Sequence, residues 1–593
     1  MHKHRYDLGI IGNCSYLGLI DDHARVKWLC WPRFDSSFVF GSLLDEKLGG
    51  EFSIIPEGKY ETRQYYITNT NVLCTEFECA DGKFRIIDCA PRFYQYERTF
   101  RPLMLVRKIE LLQGNPIIKV ICDPRGQYGE WKPEKVVASN HMVFTGYSMP
   151  MRLTTDISLT FIDEQQAFVL NRNHYLVLTY GEPLEAPLKS TAEDFINKTV
   201  RYWQGWIKNT YVPDIYQAQL IRSALVLKLH QYEDTGGIIA SGTTSLPEYN
   251  GSQRTWDYRY CWFRDSYYTL KAFNEMGHFD ELEKYFEYIE NILVRNKERI
   301  SPLYSITGHA PPDEIHLPLT GYLGNQPVRV GNKAFEQIQN DVYGQVLVGL
   351  LPLFIDQRLT FIKRAAHVDL VERLLNWIEK TLNEPDAGLW EFRNVKQVHT
   401  YTLLFHWAGC QAALKLARSM GDHRLMDKAG QLSRQAAHQI ERCFDNARGV
   451  YTQAIGSEHL DASTLKMITM SYLDPKSEKA AHHLSELEKL LKTDQGLFYR
   501  YVHQDDFGKP GATFLVCAFW YVDALACVGR LEDANRTLET ILSFSNRLGI
   551  FSEDVGIDGS QWGNYPQTYS HVGLINSVFR IAKKTDTPSY MSF

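Results

Sequence analysis

Two glutamates carry the most chemical information in this sequence. Glu391 stands in "DAGLWEFRNVKQVHTY" (386–401), directly after the indole of Trp390 and two residues before Arg393; Glu553 stands far downstream in "FSEDVG". Two carboxyl groups flanking an acetal can hydrolyse it. One donates a proton to the leaving oxygen, and the other, ionised, activates a water or attacks the sugar directly. Trp390, as an apolar wall, is expected to desolvate Glu391, raise its pKa and make it the acid. Ser552 and Asp554 suggest a wetter, more negative setting for Glu553, which is expected to stay ionised as the base. Taken singly, either residue reads equally well as a first-turn charge favoured by a helix dipole. The fold must bring the two together for the chemistry to follow.

Other residue types suited to sugars cluster in "WDYRYCWFRDS". Tyr258 and Trp262 could stack on a pyranose, Arg264 offers forked donors, and Asp265 offers acceptors for vicinal hydroxyls. Arg264 and Asp265 could equally pair with each other. Trp562 and Tyr565, in "QWGNYPQ", read as cleft lining or as packing. The 34 Tyr, 30 Phe and 12 Trp suit a large core and also a cleft that stacks on sugar rings.

Bulk properties remove several classes. With a net charge of -6 and no basic stripe, nucleic acid and anionic membrane are poor partners. No apolar run reaches membrane-spanning length, and the N-terminus lacks the apolar segment of a signal peptide. Eleven scattered Cys without C-x-x-C pairs point to a reduced, cytoplasmic chain. The His residues show no metal-ligand spacing, and there is neither a P-loop nor a dinucleotide fingerprint, so no metal and no cofactor is expected. Oligomeric state is not legible.

The chain changes period part-way. Residues 1–200 hold short runs rich in Val, Ile, Thr, Tyr and Phe, among them "LGIIG", "FSIIP", "KFRIID", "LMLVRKIELL", "PIIKVIC", "DISLTFI" and "HYLVLTYG". Ten or more such strands suggest an antiparallel β-sandwich that ends near "GEPLEAPLKS". After a linker over 201–213, residues 214–593 follow a 3.6-residue period. Helices are expected at 214–231, 264–277, 279–297, 337–356, 358–383, 400–421, 424–445, 461–473, 476–494, 513–530, 532–548 and 568–584. Twelve helices can close as six hairpins into an (α/α)6 barrel, although an open solenoid would satisfy the same count.

The links between helices are unequal. Those leading into the even-numbered helices are long and carry the aromatic, Arg and acidic residues; those leaving them are mostly short, such as "GHFD" and "GRLED". In a closed ring all links of one parity share a rim, and long loops on a rigid scaffold are where binding and catalysis concentrate. Glu391 enters the sixth helix and Glu553 the twelfth, three hairpins apart, so a closed ring sets them across one mouth.

At these residues the chain resembles glycoside hydrolase family 15, the glucoamylase family, in its bacterial and archaeal form with a β-sandwich before the barrel. The resemblance lies in "GTTSLPE…TWDYRYCWFRDS", "GYLGNQPVRVGN…QNDVYGQVL", "GLWEFR", "FLVCAFWYVDALACVGR" and "SED…GNYPQTYSHVGLIN", and also in the opening "IGNCSYLGLIDDHARVKWLCWPRFDS". It implies single-displacement hydrolysis of α-glucosidic bonds from the non-reducing end, releasing β-glucose. By resemblance Glu391 is the general acid and Glu553 the general base, and Tyr258 lies near the attacking water. Trp262, Arg264 and Asp265 hold the terminal glucose; Tyr322 and Trp520 fall in family-like segments. With Trp390 and Arg393, these make up the expected substrate contacts. Two departures stand out: Tyr401 and Leu403, with His399 shifted earlier, where a His and a Lys are expected, and Pro510–Gly511 where Glu–Gly is expected. Both are expected beside the second sugar site, where they bear on the leaving group.

The leading expectation is an inverting exo-acting hydrolase of α-1,4-glucans or maltooligosaccharides. The alternatives are a trehalase or an α-glucosidase preferring another linkage such as isomaltose. A disaccharide phosphorylase would need no base at 553, and a non-catalytic glucan binder would lack one of the two glutamates.

Overall fold

The computed structural model describes residues 3–296, 298–359 and 365–585. The N-terminal part is built from antiparallel sheets: a four-stranded sheet (8–12, 17–21, 26–30, 38–40), a three-stranded one and an eight-stranded one. In the eight-stranded sheet Met104–Gly114 pairs with both Gly82–Cys89 and His174–Tyr180. One segment departs from expectation. "DISLTFI" is not a strand; it contains the short helix α1, Leu159–Asp163. Its buried Leu159 and Ile162 are three apart, a spacing that one helical turn places on one side.

A second departure is α2, Leu188–Lys208, a 21-residue helix beginning where the last strand was expected to end. The limit expected at residue 200 falls inside it. It buries Ala192, Ile196, Thr199, Trp203 and Ile207 at helical spacing.

Among the described residues twelve helices follow. They are α3 (Gln217–His230), α4 (Phe263–Met276), α5 (Phe279–Arg295), α6 (Asp341–Ile355), α7 (Ala365–Thr381) and α8 (Thr400–Met420). After these come α9 (His423–Glu441), α10 (Lys466–Thr469), α11 (Glu478–Leu491), α12 (Leu515–Cys527), α13 (Leu531–Leu542) and α14 (Thr568–Lys584). Part of the helix expected at 358–383 lies outside the described residues. Contacts run α4–α6–α8, then through the turn Ala462–Leu465 and α10 to α12 and α14, and α14 returns to α4. The ring is closed, which removes the open solenoid. Inner helices are buried over most of their surface, and every residue of α12 is buried. Outer helices bury one stripe, as α11 does with Ala480, His483, Leu484, Leu487 and Leu491.

Helices α6 and α8 approach each other closely in the ring. A Cβ on Gly344 would lie 1.9 Å from the Phe405 carbonyl oxygen, and Gly409 faces Gly344 Cα. Only glycine allows the two backbones this close. The tenth helix is the weakest prediction. Over 461–473 the chain forms a 3-10 turn and a four-residue helix, then reverses at Ser471 (φ 60). "ASTLKMITMS" is rich in Ser and Thr, which favour caps and turns over helix interiors.

One hydrophobic core runs through both parts. Polar ties reinforce it at the rim that carries the long links. Trp28 Nε1 donates to the Gly242 carbonyl (2.8 Å), Arg259 to the Ser36 carbonyl (2.7 Å), and the Tyr565 hydroxyl to the Leu8 carbonyl (2.6 Å). The sheet domain therefore buttresses the loops in which the expected site residues lie.

Candidate active site

The long links converge on one pocket lined by Tyr258, Trp262, Arg264, Asp265, Trp390, Glu391, Arg393 and Glu553. Eight of the ten expected residues meet there. Trp520 and Tyr322 are not among the lining residues. Trp520 is buried in α12 beneath Trp390, with the Lys466 ammonium 5.3 Å from its ring. Tyr322 hydrogen-bonds His4 at 2.8 Å, tying the N-terminus to the barrel. The departures expected by the second sugar site also lie off the lining. Tyr401 and Leu403 are buried in α8, His399 stacks on Phe392, and Gly511 packs against Tyr249. Tyr565 is buried and Trp562 stacks on His4, so both pack.

Glu391 sits in a tight turn. Its φ is 62, and its N–H donates to the Gly388 carbonyl at 3.1 Å. The buried Asp386 carboxylate holds that turn, accepting from the N–H groups of Gly388 (3.1 Å) and Asn340 (2.8 Å) and from the Thr402 hydroxyl (2.8 Å). A left-handed non-glycine residue costs about 1–2 kcal/mol, which this network offsets. Four donors reach one oxygen of the Glu391 side chain, Oε1: Trp262 Nε1 at 2.7 Å, Arg264 Nη2 at 3.3 Å and Nη1 at 3.4 Å, and Gln339 Nε2 at 3.4 Å. The indole touching the carboxylate is thus Trp262, as a donor. Trp390 turns its own Nε1 to Asp461 Oδ2 at 2.6 Å. The expected desolvating wall at Trp390 is not what surrounds Glu391.

The wet setting expected for Glu553 is corrected too, whereas the negative one is present. The surroundings of Glu553 are dry; the residue is 3% exposed, against 22% for the Glu391 side chain. Burial, then the neighbouring Glu248, push the Glu553 carboxyl up; the Asn564 N–H, the Tyr258 hydroxyl and the Arg500 charge pull it down. Asp554 is pushed up as well, by burial and by Glu553 itself. The cause is a buried surplus of acid. Arg254 is taken by Asp505 and Glu248, and Arg500 Nη2 is held by Glu248 Oε2 at 2.6 Å, so Glu553 and Asp554 have no arginine of their own. The Asn564 N–H donates to Glu553 Oε2 at 3.2 Å, whereas Asp554 Oδ2 is buried without a hydrogen-bond partner.

Arg264 and Asp265 lie side by side at 3.3 Å, and Arg264 also donates to the Tyr569 hydroxyl and the Leu389 carbonyl, both at 3.0 Å. Asp265 Oδ1 is buried and, although it faces Arg264 Nε across the ion pair, accepts no hydrogen bond, which leaves it able to accept one from a hydroxyl. Burial raises the Asp265 carboxyl to about 6 against the pull of Arg264. Tyr258 is fixed by its neighbours: Asp257 and Arg259 form a fully buried pair at 2.7 Å, and Asp257 also accepts the Gly331 N–H.

Residue-type reasoning did not single out Glu248, Arg254, Trp256, Gln339, Arg500, Asp505, Phe507 or Tyr569. All lie in or beside the long links and family-like segments already marked as informative, and the signal was that concentration of Arg, acid and aromatic residues. Asp461, which anchors Trp390, was legible only as a cap before "AST". Among the described residues no group of three His, Cys, Asp or Glu is arranged to hold a metal, and no helix is long and apolar enough to cross a membrane.

Residues 214–579 match Glycosyl hydrolases family 15, which spans more than half of the chain and every residue of the pocket. The chain belongs to that family. It is a glycoside hydrolase, and residues 5–168 match the domain described as Trehalase-like, N-terminal. Trehalase of Thermoplasma volcanium is 30% identical over 98% of this chain and 93% of its own length. Trehalase of Mycobacterium tuberculosis is 29% identical over 97% and 89%. A glucoamylase of Clostridium sp. is 20% identical over 65% and 57%. Among solved structures a bacterial glucoamylase complexed with acarbose superposes with a TM-score of 0.70, at 15% identity, over 99% of this chain and 95% of its own; that likeness supports the two-domain fold with an (α/α)6 barrel.

Proposed function

We propose that this family 15 hydrolase is an inverting trehalase, cleaving the α,α-1,1 bond of trehalose with water. The observation that carries the reaction is the presence of Glu391 and Glu553 in one pocket beside the Arg264–Asp265 pair. The choice of bond leans on the named trehalases, which match both domains over nearly the whole chain, whereas the glucoamylase relative is less similar and covers less. On that support the reading prefers trehalose to the maltooligosaccharides expected from the sequence.

Arg264 and Asp265 hold the hydroxyls of the glucose whose C1 is attacked, with Asp265 Oδ1 accepting one of them. Glu391 gives its proton to the bridging oxygen as the C1–O bond breaks. Since Oε1 carries the four donors, that proton travels on Oε2. Glu553 removes a proton from the water whose oxygen joins C1 on the opposite face, and Tyr258 steadies the Glu553 carboxylate. Burial pushes both Glu553 and Asp554 up, but only Glu553 has a backbone donor, the Asn564 N–H, while Asp554 Oδ2 has none; that asymmetry favours the ionised form at Glu553, as the base role requires.

A proton NMR time course with trehalose, maltotriose and isomaltose in separate tubes tests the reading. An inverting trehalase releases equal α- and β-glucose from trehalose at early times. Two α-glucoses per trehalose would sink the inverting mechanism. Early β-glucose from maltotriose with trehalose intact would return the protein to the glucoamylase reading.

A further inference from the structure

The outer wall of the pocket is stitched together by residues that the catalytic reading leaves unused. Burial grades outward along it: Asp265 and Glu553 are 3% exposed, whereas Trp256 and Phe507 are half-buried and the Arg393 side chain is 30% exposed. The pocket therefore opens from the buried pair toward these three residues. The Arg393 guanidinium lies 4.7 Å from the Trp256 ring centre and 5.4 Å from that of Phe507, and the two rings meet edge-on at 5.2 Å. Arg393 Nη2 pairs with Glu314 Oε2 at 3.3 Å, and its backbone N–H donates to Asp506 Oδ2 at 2.6 Å. Behind this contact, Arg329 covers Trp256 at 4.5 Å and sits 3.6 Å from Glu314. Arg254 pins the loop of Phe507 through Asp505 Oδ1 (2.5 Å) and the Gly508 carbonyl (3.0 Å). Four separate links, those entering α4, α6, α8 and α12, thus close on one another through a single arginine.

We propose that Arg393, clasped by Trp256, Phe507 and Glu314, is the specificity-determining residue that limits the leaving-group side of the pocket to one sugar ring. The inference rests on the disaccharide reading above and adds its physical cause. A third sugar on the outer ring would have to lift Arg393 off both aromatic faces and strip Glu314 of its partner. The rings hold the cation by its attraction to their π-faces, and the buried carboxylate holds it by charge. The side chain is accordingly committed to the wall, and its effect on substrates is chiefly exclusion.

The test compares kcat/KM for trehalose with kcat/KM for trehalose bearing one extra α-1,4-linked glucose, in the wild type, Arg393→Ala, Phe507→Ala and Glu314→Gln. Wild type should cleave the trisaccharide at about one-hundredth of the disaccharide rate or less, and Arg393→Ala and Phe507→Ala should each raise that ratio about tenfold. Glu314→Gln unties the arginine without removing bulk, so its ratio should rise less, and it decides the matter if either truncation fails to fold. A wild-type ratio near one, or an unmoved ratio in every variant that folds, overturns the proposal. If wild type leaves trehalose intact and cuts maltose, the trehalase reading fails by itself. The same variants then judge Arg393 by the ratio of maltotriose to maltose.

Discussion

Gly563 lies directly against the side chain of Glu553: a Cβ built at 563, where φ is +75, would stand 2.6 Å from Glu553 Cβ and 2.8 Å from its Oε2. The residue after it donates its N–H to that same oxygen. Gly563→Ala should therefore displace the carboxylate while leaving the barrel core untouched. The expected result is a loss of about 100-fold in kcat, with a thermal midpoint close to that of the wild type. Full activity in the alanine variant would mean that Glu553 need not sit where it does.

The two glutamates should fail in different ways. Glu391→Gln and Glu553→Gln are each expected to lower kcat/KM on trehalose by about a thousandfold. α-Glucosyl fluoride needs no proton to release its leaving group. Glu391→Gln should recover much of the wild-type rate on that substrate, and Glu553→Gln should not. The reverse pattern would exchange the acid and base assignments.

The buried acids predict a pH profile. A base works ionised, and burial together with Glu248 raises the Glu553 carboxyl, so activity falls as pH drops through that raised value. The acid limb of kcat/KM should accordingly lie above the ordinary glutamate range. Glu248→Gln removes the negative neighbour and releases Arg500 toward Glu553. Both changes favour the ionised form, and the limb should move down by about one pH unit. An acid limb that stays in place or moves up would assign it to another group.

How far the site was legible depended on the kind of signal. Most of the helices followed from apolar periodicity, because each buries one stripe or most of its surface; the tenth, rich in Ser and Thr, shrank to a turn and a four-residue helix. That Glu391 and Glu553 line one pocket followed from the parity of long and short links. Helix Leu188–Lys208 was divided between the strand-rich half and the linker, its Tyr and Trp repeating at helical spacing among many polar residues. Trp390 was read as the partner of Glu391 because the two are adjacent in the chain. At the turn their side chains diverge, and the indole in contact, Trp262, comes from a different link. The wet setting expected for Glu553 failed for a related reason. Its neighbours Ser552 and Asp554 are polar, yet Glu553 is covered by Gly563 and Asn564, which Tyr6, Pro247 and Trp256 hold in place from far along the chain. Sequence adjacency reports composition; burial is decided by segments hundreds of residues away.

The barrel's two rims are unequal, and the far one is closed by turns as brief as Gly277–His278 and Gly421–Asp422. None of the pocket-lining residues lies there. An affinity handle or a surface tether placed at those turns would hold the molecule with its mouth pointing away from the support. Oriented immobilisation is thus built into the alternation of link lengths: the short side is the side to anchor, and the long side keeps free access to dissolved sugar.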